Sequence, residues 1–199
     1  KNLEKFNSII FSGDVFYEPS NRKWNELRNL IPNDIAVYIA PGNHDVGESG
    51  KDNSLNDIFQ LSPFFRENIY QIHFDNKQII IENSSLTKNK IVDQKVIDII
   101  NKKKDNKEFY LIRHHAPVKE VLTDENEFIK TYSQSIINLS NRLNRKTTII
   151  FGDYGQSKFK PRHICREFKN VKVIGNGLGG IKNDTVLILK NNKIYRYFL

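Results

Sequence analysis

Four short apolar runs in this chain end the same way, in a tight polar loop carrying Asp, Asn or His. Ser8-Ile9-Ile10-Phe11 stops at Ser12-Gly13-Asp14, and Ile35 to Ala40 stops at Pro41-Gly42-Asn43. Glu108 to Ile112 runs into Arg113-His114-His115, and Thr147 to Phe151 stops at Gly152-Asp153. Runs of this length bounded by turn residues are the pattern of strands buried on both faces. Between the first two, Trp24, Leu27, Leu30 and Ile31 recur at helical spacing from Asn21 until Pro32 ends the run. The opening third therefore reads strand, helix, strand: a βαβ unit with a parallel sheet. Ligands of α/β folds gather at the carboxyl ends of strands, which makes the four loops the first candidates for function.

The same reading predicts strands at Ile69–Phe74, Gln78–Glu82 and Val171–Ile174, and a closing hairpin from Thr185–Leu189 and Ile194–Phe198. Helices are expected over Val92–Lys102 and Tyr132–Leu143, and a short one around Cys165. No repeat or low-complexity linker divides the chain, so residues 1–199 read as one domain. The chain lacks methionine, so Lys1 reads as a point inside a longer protein, after a helix-like stretch (Lys1–Asn7) that a further strand would precede.

Composition narrows the function classes. The net charge is +8, but the densest basic run, Lys102-Lys103-Lys104, closes an expected helix, where cations suit the dipole. The remaining charge is scattered, so nucleic acid is not the favoured partner. No run reaches the ~18–20 apolar residues of a helical membrane span. The single cysteine, Cys165, closes no internal disulfide, which is compatible with a reducing, cytoplasmic setting. Oligomeric state is not legible.

Asp14, Asn43, His44, Asp45, His114 and Asp153 bring carboxylate, amide and imidazole donors to strand ends that neighbouring strands would draw together. Such a set suits divalent metals: carboxylates hold or bridge hard cations, and neutral imidazole binds Zn, Fe or Mn. Two ions ~3.5–4 Å apart clamp the attacking and leaving oxygens of a phosphate displacement, so phosphoester hydrolysis is the expected chemistry.

At these residues the chain resembles the calcineurin-like metallophosphoesterases. Ser12-Gly13-Asp14, Pro41-Gly42-Asn43-His44-Asp45 and His114-His115-Ala116-Pro117 look like that family's successive motifs, in order. The resemblance implies a four-layer α/β/β/α sandwich with mixed sheets, and hydrolysis of a phosphomonoester or phosphodiester through metal-bound hydroxide. It implies two divalent ions, Mn²⁺ foremost with Fe, Zn or Mg as alternatives, and a phosphorylated substrate. Asp14 would bridge the two metals, and Asn43 would bind the second through its side-chain oxygen. His44 would stabilise phosphate charge and assist the leaving group, with Asp45 holding its ring. His114 would complete the second metal's shell, with His115 as the alternative.

Two departures stand out. The family's opening Asp-x-His, which serves the first metal, has no counterpart, and truncation before Lys1 is the expected reason. Its last motif, Gly-His-x-His, is replaced by Gly152-Asp153-Tyr154-Gly155. Asp153 can still donate oxygen to the second metal, whereas Gly155 can ligate nothing, which shifts preference toward harder cations such as Mn²⁺ or Mg²⁺. The alternative to an enzyme is therefore a catalytically degenerate, phosphate-recognising or scaffolding domain, and a nuclease ranks behind both.

Other features read as structural. Gly175-Asn176-Gly177-Leu178-Gly179-Gly180 leads toward a strand and not a helix, so it is expected to be a bare turn. His73, His163 and Cys165 lack partners at useful spacing. Arg113 either faces a phosphate oxygen or forms an ion pair. Substrate specificity is expected in loops such as Glu48–Asn53 and Val118–Phe128.

Overall fold

The computed structural model describes residues 6–48, 54–74, 77–87, 91–102, 108–117, 125–153, 163–176, 185–190 and 193–198. The expected βαβ unit is present: β1 (Ser8–Phe11) pairs in parallel with β2 (Ala36–Ile39), joined through α1 (Asn21–Leu30). Ser20 caps α1 by accepting the Lys23 backbone N–H at 3.3 Å, and the helix stops at Ile31, before Pro32. Two short helices follow, α2 (Asn43–Val46) and α3 (Ser54–Gln60).

Among the described residues the largest sheet has six strands in the order β3-β4-β5-β6-β8-β7. Its members are β3 (Ile69–Phe74), β4 (Lys77–Glu82), β5 (Phe109–Arg113), β6 (Thr147–Phe151), β7 (His163–Phe168) and β8 (Val171–Asn176). The inner strands β4, β5, β6 and β8 are parallel, and the edges β3 and β7 run antiparallel. α4 (Gln94–Lys102) and α5 (Glu125–Arg142) accompany it, and β9 (Thr185–Lys190) forms a separate hairpin with β10 (Lys193–Phe198).

Period-two alternation sorts the strand side chains into three packed seams. Ile80, Leu111, Ile149 and Val173 pack against Val96, Ile97 and Ile100 of α4 and Ile136 and Leu139 of α5. Their strand neighbours Ile79, Ile81, Tyr110 and Ile112 face the other way, onto Ile10, Tyr38 and Ala40 of the β1–β2 region and Leu189 and Ile194 of the hairpin. Ile9, Val37 and Ile39 then pack outward against Trp24 of α1 and Phe59 of α3. Helices, two-stranded pairs, six-stranded sheet and helices therefore stack as the expected α/β/β/α sandwich with mixed strands.

Several local expectations are corrected. Cys165 lies in a strand, exposed on edge β7, because Lys169 takes a positive φ of 51° and turns His163–Phe168 back along β8. A six-residue run mixing Ile, Cys and Phe with charges has no decisive period, and strand pairing settles it. α5 begins at Glu125, earlier than expected, and α4 starts at Gln94. Gly175 and Asn176 end β8, whereas 177–180 lie outside the described residues, as do 1–5, 49–53, 118–124 and 154–162.

Arg113 is settled as an ion pair. It follows Phe109 and Leu111 on the α4 side of the sheet, fully buried, with Nε 3.1 Å from Glu82 Oε2 and one terminal nitrogen donating to the Ile91 carbonyl at 3.2 Å. Glu82 also accepts the Asp93 backbone N–H at 2.8 Å, so the pair ties two strand ends to the start of α4. Glu82→Ala is expected to destabilise the fold by about 3–5 kcal/mol, since it strands a buried guanidinium. Urea unfolding would read this as a lowered midpoint at constant slope, and an unchanged midpoint would contradict it.

Candidate metal centre

The carboxyl ends of β1, β2, β5 and β6 converge, which brings the four sequence-predicted loops together. Gly13 and Asp14 both take positive φ, 93° and 51°, so the chain leaving β1 turns sharply and places the Asp14 carboxylate among the other loops. A non-glycine residue in this region is strained, and Asp is among the few that tolerate it. A Cβ on Gly13 would lie 2.4 Å from His114 Nδ1, so only glycine lets the two loops meet.

Asp14 is shared between two neighbours. Its Oδ1 accepts the His44 backbone N–H at 3.1 Å, and its Oδ2 stands 3.2 Å from His114 Nε2. The loop at Gly42 is pressed against it, since a Cβ there would fall 2.1 Å from Oδ1. Asn43 opens α2 beside this contact, half-buried, and its side-chain amide makes no hydrogen bond to the described residues.

His114 is almost wholly buried and its ring is oriented from behind. Nδ1 lies 2.9 Å from the Ser12 carbonyl oxygen, which can only accept, so Nδ1 carries the proton. The neutral ring then turns the Nε2 lone pair toward Asp14 Oδ2. Two acceptors 3.2 Å apart repel unless a proton or a cation lies between them. The backbone of β6 is docked on the same residue: Gly152 and Asp153 N–H both donate to the His114 carbonyl, at 3.0 and 2.8 Å. One nitrogen each of His114 and His115 and a carboxylate oxygen of Asp153 lie within 4.8 Å of one another.

Asp45 is fully buried but not where its expected part requires. Its oxygens accept from the backbone N–H groups of Val15 at 3.1 Å, Phe16 at 3.3 Å and Gly42 at 3.0 Å. It thus clamps the Asp14 loop to the Gly42 loop, and among the described residues its hydrogen bonds go to these backbone donors and not to the His44 ring. Burial is the main influence on its carboxyl and pushes it up, against those three donors. The His44 ring instead lies beside Tyr17, with centroids 4.7 Å apart and planes inclined by 31°. Tyr17 is 79% exposed, and neither residue type nor spacing signalled this pairing. Of the remaining histidines, His73 is exposed on β3 and His163 lies on edge strand β7.

A carboxylate, an amide and a back-bonded imidazole stand together at the ends of parallel strands, and these are donor types that hard or borderline divalent cations take. The chain belongs to the calcineurin-like phosphoesterase family, which it matches over residues 1–175. No curated protein matches it. Membership makes phosphoester hydrolysis with divalent metal ions the general chemistry of the fold.

The donor set fits such ions. Ligand bonds of about 2.1 Å at roughly right angles put neighbouring donor atoms about 3 Å apart, close to the 3.2 Å between Asp14 Oδ2 and His114 Nε2. Titration of the metal-free pair follows the same logic. Burial, the largest influence on Asp14, pushes its carboxyl up, but the hydrogen bond and charge of His114 and the His44 N–H outweigh it and hold it below the usual range. Burial likewise pulls His114 down, but Asp14, with the charge of Asp153 and the Ser12 carbonyl, raises it above the usual imidazole value.

The pair therefore stabilises the metal-free fold fully between the unfolded-state values of about 3.9 and about 6.5. Its contribution is lost as pH falls through the lowered Asp14 value, and as pH rises through the raised His114 value. A cation bound between the two would take the proton's place at high pH. Mn²⁺ is expected to raise Tm more at pH 8.5 than at pH 6, read by thermal unfolding. Equal shifts at both would contradict this.

Proposed function

We propose that this chain is a metal-dependent phosphoesterase acting on a phosphomonoester or phosphodiester, with Asp14, Asn43, His114 and Asp153 as the ligands of two divalent ions. Mn²⁺ is the preferred metal, since Asp153 supplies oxygen where the family has imidazole. The carrying observation is the facing pair Asp14 Oδ2 and His114 Nε2, whose lone pairs need a positive occupant. Bound cations supply Lewis-acid polarisation of the phosphoryl oxygen and acidify a water nucleophile.

The chain's own residues supply the rest. Ser12 and the His44 backbone N–H hold the His114 ring and the Asp14 carboxylate in place. Asp45 keeps the two loops in register through three backbone donors. His44, whose ring lies beside exposed Tyr17, donates a proton to the departing oxygen.

Turnover of p-nitrophenyl phosphate or its bis ester with Mn²⁺, abolished by EDTA and restored by Mn²⁺, is the expected result. The Gly155 substitution favours a second reading, a phosphate-recognising domain without catalysis. At most one ion per chain, phosphate binding and no turnover on either ester would establish that reading over the first.

A further inference from the structure

Tyr17 is a large aromatic residue that the packed seams of the fold do not use. Val15 and Phe16, just before it, are held on both counts: their backbone N–H groups donate to Asp45, and both side chains pack on the seam around Trp24. The Phe16 and Trp24 rings meet edge to face, with centroids 4.8 Å apart. Tyr17 then turns outward. It is 79% exposed, and its hydroxyl makes no hydrogen bond among the described residues. What its ring does touch is the ring of His44, at 4.7 Å between centroids.

An aromatic ring left in water forgoes the gain of burial, and a second aromatic surface laid against it recovers that gain. The reading given to His44 puts such a surface within reach. A general acid comes within about 2.6–3.2 Å of the oxygen it protonates, so the carbon skeleton on that oxygen begins one bond beyond. A ring-sized skeleton starting there extends over the neighbourhood of the His44 ring, where Tyr17 stands in direct contact. Because Asp45 and Trp24 fix the two preceding residues, this wall is in place before a ligand arrives, which lowers the ordering cost of using it.

We propose that Tyr17 determines specificity for the leaving group: its exposed ring, seated against His44, is the wall on which an aryl ester stacks. This rests on the part given to His44 under the proposed function.

The test compares kcat/KM on 1-naphthyl phosphate with that on glycerol 2-phosphate, for the Mn²⁺-loaded parent chain, Tyr17→Leu and Tyr17→Phe. Leucine keeps apolar bulk and removes the ring, so the naphthyl-to-glycerol ratio should fall about 3–10-fold, the worth of one aromatic pair. The fall should come through KM of the naphthyl ester, since stacking holds substrate and transition state alike. Tyr17→Phe keeps the ring, and its ratio should stay within about twofold of the parent. Calorimetry with benzylphosphonate, in which a methylene replaces the ester oxygen, reads the same contact without turnover, and Tyr17→Leu should weaken it by a similar factor. An unchanged ratio in Tyr17→Leu, or equal benzylphosphonate affinity in Tyr17→Leu and the parent, would overturn the inference and leave the phosphoesterase reading standing. Failure of the parent chain to turn over either ester would overturn both.

Discussion

His44→Ala is expected to lower kcat on p-nitrophenyl phosphate by about 10²–10⁴-fold, the usual worth of a positioned general acid, while the Mn²⁺ content stays that of the parent chain. The separation follows from which atoms of His44 do what. Its backbone N–H, which survives the substitution, holds Asp14 Oδ1 at 3.1 Å, whereas its ring lies against exposed Tyr17. The loss should be larger for an alkyl phosphate, whose departing alkoxide is the stronger base and needs the proton more. Steady-state rates on the two esters, with metal analysis of each preparation, check this. Unchanged kcat, or lost metal, would remove His44 from the part given to it.

Asp14→Asn is expected to weaken Mn²⁺ binding by more than about 100-fold, since removing even a residue that only supports a ligand costs about 10–100-fold. Asparagine tolerates the positive φ of 51° at this position and keeps an oxygen for the His44 N–H, so the substitution isolates the charge. The metal-free variant should fold, yet lose the excess stabilisation by Mn²⁺ at pH 8.5, because the carboxylate facing His114 is gone. Calorimetric titration with Mn²⁺ measures the effect, and an affinity within tenfold of the parent would show that Asp14 is not a ligand.

What the sequence made legible was the punctuation. Each apolar run leading to Asp14, Asn43, His114 or Asp153 proved to be a strand, because a short apolar run closed by polar or turn residues leaves the chain little else to form. Their convergence was also legible, since parallel strands place their carboxyl ends on one side. Asp45 was not. Its carboxylate is consumed by Val15 and Phe16, 30 and 29 residues earlier, a contact that exists only once the two loops are docked.

Glu82 as the partner of Arg113 was hidden for a related reason: a charge in a strand reads as exposed until its partner on the next strand is known. β7 was missed because His163–Phe168 has no period of its own and owes its form to pairing with β8. The two histidines at 114 and 115 look interchangeable in sequence. They are separated by what stands behind each ring, the Ser12 carbonyl for one and the Ser84 hydroxyl for the other.

Anomalous diffraction at the manganese edge, from crystals grown with Mn²⁺ at pH 7.5, tests the shared site most directly. The account predicts a peak with Asp14, the Asn43 side-chain oxygen, His114 Nε2 and Asp153 as neighbours at about 2.0–2.3 Å. No peak there, with Asp14 and Asn43 turned to separate places, would contradict it.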